Sequence, residues 1–214
     1  MPYKWYLNTY TDNYRNKKKE RKMAEVIYQF KILLQGSKPP IWRRIQVPGS
    51  YSFYDLHVAI QDSMGWEDYH LHDFTIIHPE TLREDHIGIG EDVFPGCETK
   101  LSSYFSLENP RAEYMYDFGD GWEHLITLEK IIPAEKGITY PRCIKGKRAC
   151  PPEDCGGIWG YVDLLEILSD PKHEEYESRL EWLGGEFDSE EFKSEDVIFE
   201  DPKGRYKLFS EMHS

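Results

Sequence analysis

The chain has 214 residues, of which 26 are Lys or Arg and 39 are Asp or Glu, so its formal net charge is −13. A chain of this length buries a substantial core without needing disulfides or structural metals. The acidic balance repels phosphate groups, which disfavours nucleic-acid binding by the folded part and favours a protein as the partner.

The hydropathy of the chain argues against a membrane protein. No stretch approaches the roughly 18 consecutive apolar residues that cross a bilayer, and the first residues are too polar and aromatic for a signal peptide. We therefore expect a cytoplasmic protein with no membrane partner. In that compartment the four cysteines are expected to be reduced thiols rather than a disulfide framework.

The first 22 residues differ in charge from the rest of the chain. They hold seven Lys or Arg residues against Asp12 and Glu20, a net charge of +5, which leaves −18 for residues 23–214. We interpret residues 1–22 as a flexible, solvated extension that folding does not require, with contact to an anionic partner as the alternative. Met23 is an alternative start of translation, and residues 23–214 are expected to form one domain with an acidic C-terminal tail.

The next residues predict a β-hairpin followed by a helix. Apolar residues alternate with polar ones over 26–34 and 41–47, which is the periodicity of strands, and a Gly- and Pro-containing turn separates the two runs. Ser52 and Asp55 have the spacing of a capping box, so a helix is predicted over 54–64. Its apolar residues share one stripe, which is expected to pack on the sheet: Leu56, Ala59, Ile60 and Met64.

Beyond this helix the patterns are weaker. A strand is predicted at about 73–77, and residues 78–112 are predicted to be mostly loop because they hold several Gly and Pro residues. Residues 141–157 are predicted to be a connection on the surface, since they contain few apolar residues. Short helices are predicted at about 161–168 and 171–183, before an acidic tail of irregular structure docked on the domain.

The predicted fold class is therefore α+β: a single domain with an antiparallel or mixed sheet, a long helix on one face and short C-terminal helices. On this model Ile60→Asp is expected to unfold the domain because it buries a charge, whereas Asp62→Ala is expected to have little effect.

A hairpin over about 113–132 is the most distinctive stretch of the chain. Asp120-Gly121 is typical of a two-residue turn, which would place Asp117 opposite His124. A three-residue loop over 119–121 would instead place Tyr116 opposite His124. The turn length is not determined by the sequence.

Several motifs in a fixed order resemble the plasmid pRiA4b ORF-3-like family over roughly residues 24–195. They are Trp42-Arg43-Arg44, the helix from Leu56 to Gly65-Trp66, His70-Leu71-His72-Asp73-Phe74, Tyr116-Asp117-Phe118-Gly119-Asp120, and the run from Ala149-Cys150-Pro151-Pro152-Glu153-Asp154-Cys155 to Gly156-Gly157. The resemblance implies a compact α+β domain of uncharacterised activity, with some similar proteins carried on mobile elements. It supplies no catalytic residues.

The hairpin contains the first candidate site. If Asp117 and His124 are paired, they form an oriented carboxylate–imidazole couple suited to acid–base chemistry or metal binding, or else a structural salt bridge. Tyr116 and Trp122 are candidates for lining a pocket or for the core. Because Arg43 or Arg44 must face the apolar side of its strand, we expect a buried salt bridge to an acid there, with an anion site as the alternative.

The run around residues 143–155 contains the metal candidates. Cys143, Cys150 and Cys155 would form a zinc site with His124 or His173 as the fourth ligand, although their spacing is unlike that of structural zinc motifs. Glu153 and Asp154 are interpreted as acids favoured near a helix start, or as a carboxylate pair that holds a hard cation.

Two functions follow from these patterns. The first is a non-enzymatic binding or accessory module without a cofactor, since no nucleophile–base pair or phosphate loop is present. The second is a metal-dependent hydrolase in which one divalent cation activates a water molecule. It would use Asp117, Asp120, His124, Glu153 and Asp154, and it requires the hairpin turn to meet the Pro-Pro-Glu-Asp loop.

Overall fold

The computed structural model describes the backbone of residues 25–90 and 92–212 and the side chains of these residues up to 207. The basic extension 1–22 lies outside the described residues. The described strands are β1 (Val26–Leu34), β2 (Trp42–Pro48), β3 (His72–Ile77), β4 (Glu84–Gly88), β5 (Phe94–Pro95), β6 (Arg111–Tyr116), β7 (Trp122–Pro133) and β8 (Arg142–Lys147). The described helices are α1 (Phe53–Met64), α2 (Gly157–Ser169), α3 (Tyr176–Leu183) and α4 (Pro202–Met212), with 3₁₀ turns at Leu101–Ser103 and Ser194–Asp196.

All eight described strands lie in one sheet, in the order β5-β4-β3-β6-β7-β1-β2-β8. Neighbouring strands are antiparallel except β4 and β5, which are parallel, so the sheet is mixed. The α+β class and the single domain with a mixed sheet are thereby confirmed. The hairpin of β6 and β7 occupies the middle of the sheet, which brings its turn next to the start of β3.

Three short strands arise where the sequence predicts loop. β4 and β5 form within residues 78–112, and β8 forms within residues 141–157. Each pairs at or near an edge of the sheet: β4 on β3, β5 on β4 and β8 on β2. Because these residues are half exposed and poor in apolar alternation, the backbone pairing offered by a formed strand decides their conformation, and their own sequence does not.

Helix α1 begins and ends as its sequence predicts. The Ser52 hydroxyl accepts a hydrogen bond from Asp55 N, the Asp55 carboxylate accepts one from Ser52 N, and Gly65 ends the helix with φ 93°. Its burial differs from the predicted single stripe, because ten of its twelve residues are buried. It contacts β2, β4 and α4, so it is covered by more than the sheet.

The C-terminal tail covers part of that helix, which corrects the prediction of irregular structure. Residues 202–212 form α4, and Arg205 Nη2 lies 2.8 Å from Asp62 Oδ1. Asp62 Oδ2 also accepts a hydrogen bond of 2.9 Å from Glu200 N. Asp62, whose replacement by Ala is expected from the sequence to have little effect, thus has a carboxylate that is buried under the tail.

Among the helices that the structure describes, none combines the length and the apolar composition needed to cross a membrane.

Candidate functional site

The turn between β6 and β7 is longer than either predicted turn. Tyr116 pairs with Trp122 and Tyr114 pairs with His124, which leaves a five-residue loop over 117–121. Asp117 leaves the strand with φ 55°, and its N–H donates to Leu71 O at 3.0 Å rather than across the hairpin. Both predicted registers are wrong because this contact with the segment before β3 opens the turn, and local turn propensity does not report such a contact.

The predicted couple of Asp117 and His124 is consequently not formed. His124 is completely buried against the rings of Trp66 and Tyr114, and neither of its ring nitrogens has a hydrogen-bond partner among the described residues. Burial lowers the pKa of His124 to about 4, so the imidazole is neutral at neutral pH. Trp122 is completely buried as well, which makes it a core residue and not a ligand contact.

Three segments meet beside this turn: 66–72, 117–121 and 151–159. We call the surface that they form the three-loop face. Hydrogen bonds join the segments: Trp66 Nε1 to Pro151 O (3.0 Å), Glu67 N to Glu153 Oε2 (2.9 Å), Asp117 N to Leu71 O (3.0 Å) and Gly156 N to Asp120 Oδ2 (3.1 Å). The hairpin turn and the Pro-Pro-Glu-Asp loop therefore lie in contact.

A glycine allows this contact between the loops. Gly157 has φ 67°, and a Cβ atom placed on it would lie 2.3 Å from Asp120 O. A side chain at this position would clash with the backbone of the turn and would also strain its own backbone. Gly157 of the motif is thus explained by the approach of two loops.

The three-loop face brings together one group of side chains with metal-ligand atoms. His70 Nε2 lies 3.1 Å from Asp154 Oδ1 and 3.7 Å from Asp117 Oδ2, and the three ligand atoms all lie within 4.8 Å of one another. His70 is half-buried, Asp117 is 7% exposed and Asp154 is exposed. Asp117 and Asp154 belong to the predicted candidates, whereas His70 does not.

Two features of the backbone fix the aspartates. The N–H of Gly119 donates to Asp117 Oδ1 at 2.8 Å, which leaves the other oxygen, Oδ2, directed at His70. Asp117 and Asp154 both have positive φ, 55° and 58°. Such a conformation costs a residue other than Gly about 1 kcal/mol or more, so the surrounding contacts hold both residues in place.

The remaining predicted carboxylates are engaged elsewhere. Tyr116 is completely buried, its hydroxyl donates a short hydrogen bond to Glu153, and the same hydroxyl accepts from Tyr69 N at 3.1 Å. Burial and the Glu153 carboxylate raise the pKa of Tyr116 well above its usual range, so the phenol keeps its proton. Asp120 is bound to Gly156, as described above. The five residues of the predicted hydrolase site therefore do not surround one point.

The rim of the three-loop face is aromatic and acidic. Each segment carries one well-exposed ring: Tyr69 is 71% exposed, Phe118 57% and Trp159 84%. The three segments contain six Asp or Glu residues and no Lys or Arg. In the sequence, the residues of this face belong to three separate motifs, and no pattern shows that the three motifs meet.

The two arginines of β2 have different environments, and only one makes the expected salt bridge. Arg44 binds Glu129 with two hydrogen bonds, of 2.6 and 2.8 Å, at a partly exposed position. Arg43 is 1% exposed, and its guanidinium donates to backbone carbonyl groups and lies 3.7 Å from the ring of Phe192. The predicted buried salt bridge is therefore wrong for Arg43, which carbonyl oxygens and an aromatic ring satisfy instead.

The predicted zinc site of cysteines is not assembled among the described residues. All four cysteines are free thiols, and Cys143, Cys150 and Cys155 do not join His124 or His173 in a group of ligand atoms. Burial raises the pKa of Cys155 to about 12, and it raises the pKa of Cys150 further, so both thiols stay protonated. His124 is in the core, as shown above, and His173 is exposed.

A pair of buried histidines lies beneath the face, and neither of them is among the candidate site residues predicted from the sequence. The rings of His57 and His72 stack with their centroids 3.5 Å apart. His57 contacts the Tyr114 hydroxyl at 2.8 Å and Asp68 Oδ1 at 2.7 Å. Burial lowers the pKa of both histidines well below the usual range, so the stack is neutral. It forms a polar layer of the core between α1 and β3.

Comparison with known proteins agrees with the sequence motifs. The family model described as plasmid pRiA4b ORF-3-like protein matches residues 26–196. The "Uncharacterized protein y4hQ" of Sinorhizobium fredii is 34% identical over 174 residues, which cover 78% of this chain and 86% of that protein.

A solved structure is also similar: the crystal structure of a protein of unknown function, MM3350, from Methanosarcina mazei Go1. It is 52% identical, with a TM-score of 0.80, over 83% of this chain and 100% of that chain. Both relatives are uncharacterised or of unknown function, so they support the fold and the family without naming an activity. From the matched residues and the shared fold, the chain belongs to the plasmid pRiA4b ORF-3-like protein family.

Proposed function

We propose that the chain is a non-enzymatic binding module that uses the three-loop face to hold a Lys- or Arg-rich segment of another protein. One observation carries this proposal: three exposed aromatic rings, of Tyr69, Phe118 and Trp159, stand on segments with six acids and no Lys or Arg. Exposed large aromatic side chains are typical of protein interfaces and of their energetically dominant positions.

The chemistry of the face selects a cationic partner. Aromatic faces attract ammonium and guanidinium groups, Trp most strongly, and the carboxylates of Glu67, Asp117 and Asp154 supply negative charge beside them. The net charge of −13 also draws cationic partners toward the chain and disfavours nucleic acid. An accessory role of this kind also fits the plasmid origin in the family's name.

Binding is favoured over hydrolysis because of how the carboxylates are used. Of the five residues in the hydrolase hypothesis, His124 is in the core, while Glu153 and Asp120 accept hydrogen bonds from Tyr116 and Gly156. These hydrogen bonds shape the loops and leave the rings on their rim exposed. A face that is rigid, acidic and aromatic suits recognition.

A labelled peptide tests the proposal. Fluorescence anisotropy is measured with a 12-residue peptide of alternating Gly and Arg and with its Gly–Glu counterpart. The Arg peptide is expected to bind, more weakly at high salt, and the Glu peptide is not. Trp159→Ala is expected to weaken binding about two- to thirtyfold, since a cation–π contact contributes about 0.5–2 kcal/mol.

Trp182 supplies the matched control. It is a half-exposed tryptophan on α3, outside the three segments, so Trp182→Ala is expected to leave peptide binding unchanged. Equal binding of the Arg and Glu peptides, or equal effects of the two tryptophan variants, would contradict a specific cationic site on this face.

A further inference from the structure

We propose that His70, Asp117 and Asp154 form a binding site for one divalent first-row transition metal ion. This inference goes beyond the binding of a protein partner and does not depend on it. The three side chains come from three separate segments of the chain, and their ligand atoms converge within 4.8 Å of one another.

The distances fit a shared ion. Ligand atoms at about 2.0–2.2 Å from one ion lie roughly 3.0–3.5 Å apart in tetrahedral or octahedral geometry. His70 Nε2 is 3.1 Å from Asp154 Oδ1 and 3.7 Å from Asp117 Oδ2. The first distance lies within this range, and the second is about 0.2 Å longer than its upper limit.

A second, independent observation is the environment of Asp117. This residue is 7% exposed, and burial of a carboxylate is costly unless a cation or hydrogen bonds compensate it. Oδ1 accepts the Gly119 N–H, but Oδ2 is 3.7 Å from His70 Nε2, which is too long for a hydrogen bond. The three segments contain no Lys or Arg that would neutralise it. The largely buried Asp117 side chain thus directs Oδ2, which accepts no hydrogen bond from the described residues, at the point where the other two ligand atoms meet.

The donor set indicates the class of metal. One imidazole nitrogen with two carboxylate oxygens suits Mn²⁺, Fe²⁺, Co²⁺ or Zn²⁺, whereas Mg²⁺ and Ca²⁺ prefer oxygen ligands alone and Cu⁺ prefers thiolates. Three protein ligands also leave coordination positions for water or for a group of a partner. Gly119 N–H, bound to the second oxygen of Asp117, has the orienting role that surrounding hydrogen bonds have at metal sites.

Titration of the full-length, chelator-treated and untagged chain with Mn²⁺ by calorimetry tests the site. One ion per chain is expected to bind and to raise the unfolding temperature. His70→Ala and Asp154→Asn, both at accessible positions that do not threaten folding, are each expected to weaken binding at least about tenfold. Absence of binding at millimolar Mn²⁺, or unchanged affinity in both variants, would overturn the proposal.

His86 provides the matched control. Its Nδ1 lies 2.8 Å from Asp73 Oδ2, and its Nε2 lies 3.8 Å from Glu84 Oε1. The two carboxylates therefore contact different nitrogens of the ring, and their oxygens do not converge on one point where an ion could bind. His86→Ala is expected to leave the affinity unchanged. An equal loss in His86→Ala and His70→Ala would show that the ion binds exposed acidic groups unspecifically and would also overturn the proposal.

The Co²⁺ spectrum distinguishes the proposed site from the cysteines. The absorption of a Co²⁺ complex with nitrogen and oxygen ligands lacks the intense thiolate-to-cobalt charge-transfer band, so that band is expected to be absent. Its presence would place the ion at one of the four cysteines and refute the assignment. The peptide assay uses neither His70→Ala nor Co²⁺, so the partner proposal and the metal proposal fail separately.

Discussion

Arg43 shows how the surroundings of a single residue are decided in the core. Its guanidinium donates to Ser63 O at 2.7 Å, to Trp42 O at 3.0 Å and to Lys147 O at 3.2 Å, and it stacks on Phe192. The arginine therefore ties β2 to the end of α1 and to β8. Burial lowers its pKa, but a guanidinium keeps its proton in proteins.

Arg43→Ala is expected to lower the free energy of unfolding by about 3–5 kcal/mol, because it leaves carbonyl groups without donors and a cavity beside Phe192. The neighbouring Arg44→Ala removes a partly exposed ion pair with Glu129 and is expected to cost about 1 kcal/mol or less. Urea unfolding followed by tryptophan fluorescence measures both changes. Similar losses of unfolding free energy in the two variants would show that the buried contacts of the Arg43 guanidinium do not stabilise the fold more than the partly exposed ion pair of Arg44 does.

His124 is the opposite case, a buried polar ring without partners among the described residues. Its folded-state pKa of about 4 lies below the unfolded value of about 6.5, so the unfolded chain binds a proton first as the pH falls. This residue's contribution to stability is therefore present above pH 6.5 and is lost as the pH falls toward 4, by about 3 kcal/mol.

His124→Phe is expected to keep or raise stability at pH 7, since an apolar ring replaces unpaired nitrogens. The variant should also lose less stability than the wild type between pH 6.5 and pH 4. Thermal unfolding of both proteins across this range measures the difference in stability between them. The contributions of the other buried titrating groups, His57, His72 and Asp68, are the same in both proteins and cancel in this difference. A constant difference at every pH would show that His124 does not titrate as described.

At the scale of elements, α1 is the helix around which the C-terminal tail is fixed. Asp62 on this helix binds Arg205 of α4 and the backbone of Glu200, and Arg205 also lies 3.9 Å from Asp68. The apolar side of the helix faces the core, where Ile60 is completely buried. The contact between α1 and α4 thus includes a partly buried ion pair, beside the edge-on contact of the Tyr54 and Tyr206 rings.

Asp62→Ala is expected to release α4 while the sheet remains folded, because it breaks the ion pair with Arg205 and the bond to Glu200 N. Hydrogen exchange in residues 198–212 should accelerate, with little change in β1 and β7. Ile60→Asp serves as the contrast and is expected to unfold the whole domain. Unchanged exchange of the tail in Asp62→Ala would contradict its anchoring by this residue.

At the scale of the whole molecule, the mixed sheet sets the position of the three-loop face. β3 lies beside β6 in the strand order, so the segment before β3 meets the turn after β6. The connection after β8 returns to the segment before β3 through Pro151, which accepts from Trp66, and to the turn through Gly156, which donates to Asp120. The three segments that meet there contain acids and no Lys or Arg, so the excess of acidic residues in the chain is concentrated on this face. Both proposals rest on this local negative charge.

Much of the fold was determined by the sequence itself. Strands β1 and β2, the capped helix α1 and the β6–β7 hairpin follow from patterns within a few residues: alternation, the Ser52–Asp55 capping box and Gly65. Such patterns are reliable because the interactions that they encode, between backbone and nearby side chains, are local. The order of the motifs also identified the family.

The site, by contrast, was decided by the tertiary structure. Asp117 and Asp154 were candidates from their motifs. That His70 lies beside them, and not the predicted His124, depends on a contact between the hairpin turn and the segment before β3. That contact lengthens the loop between β6 and β7 and takes Asp117 out of the hydrogen-bonded pairing of the two strands. The edge strands and the buried guanidinium of Arg43 have the same origin. Each is fixed by groups distant in sequence, whose meeting results from packing of the whole sheet and its helices and not from any local periodicity.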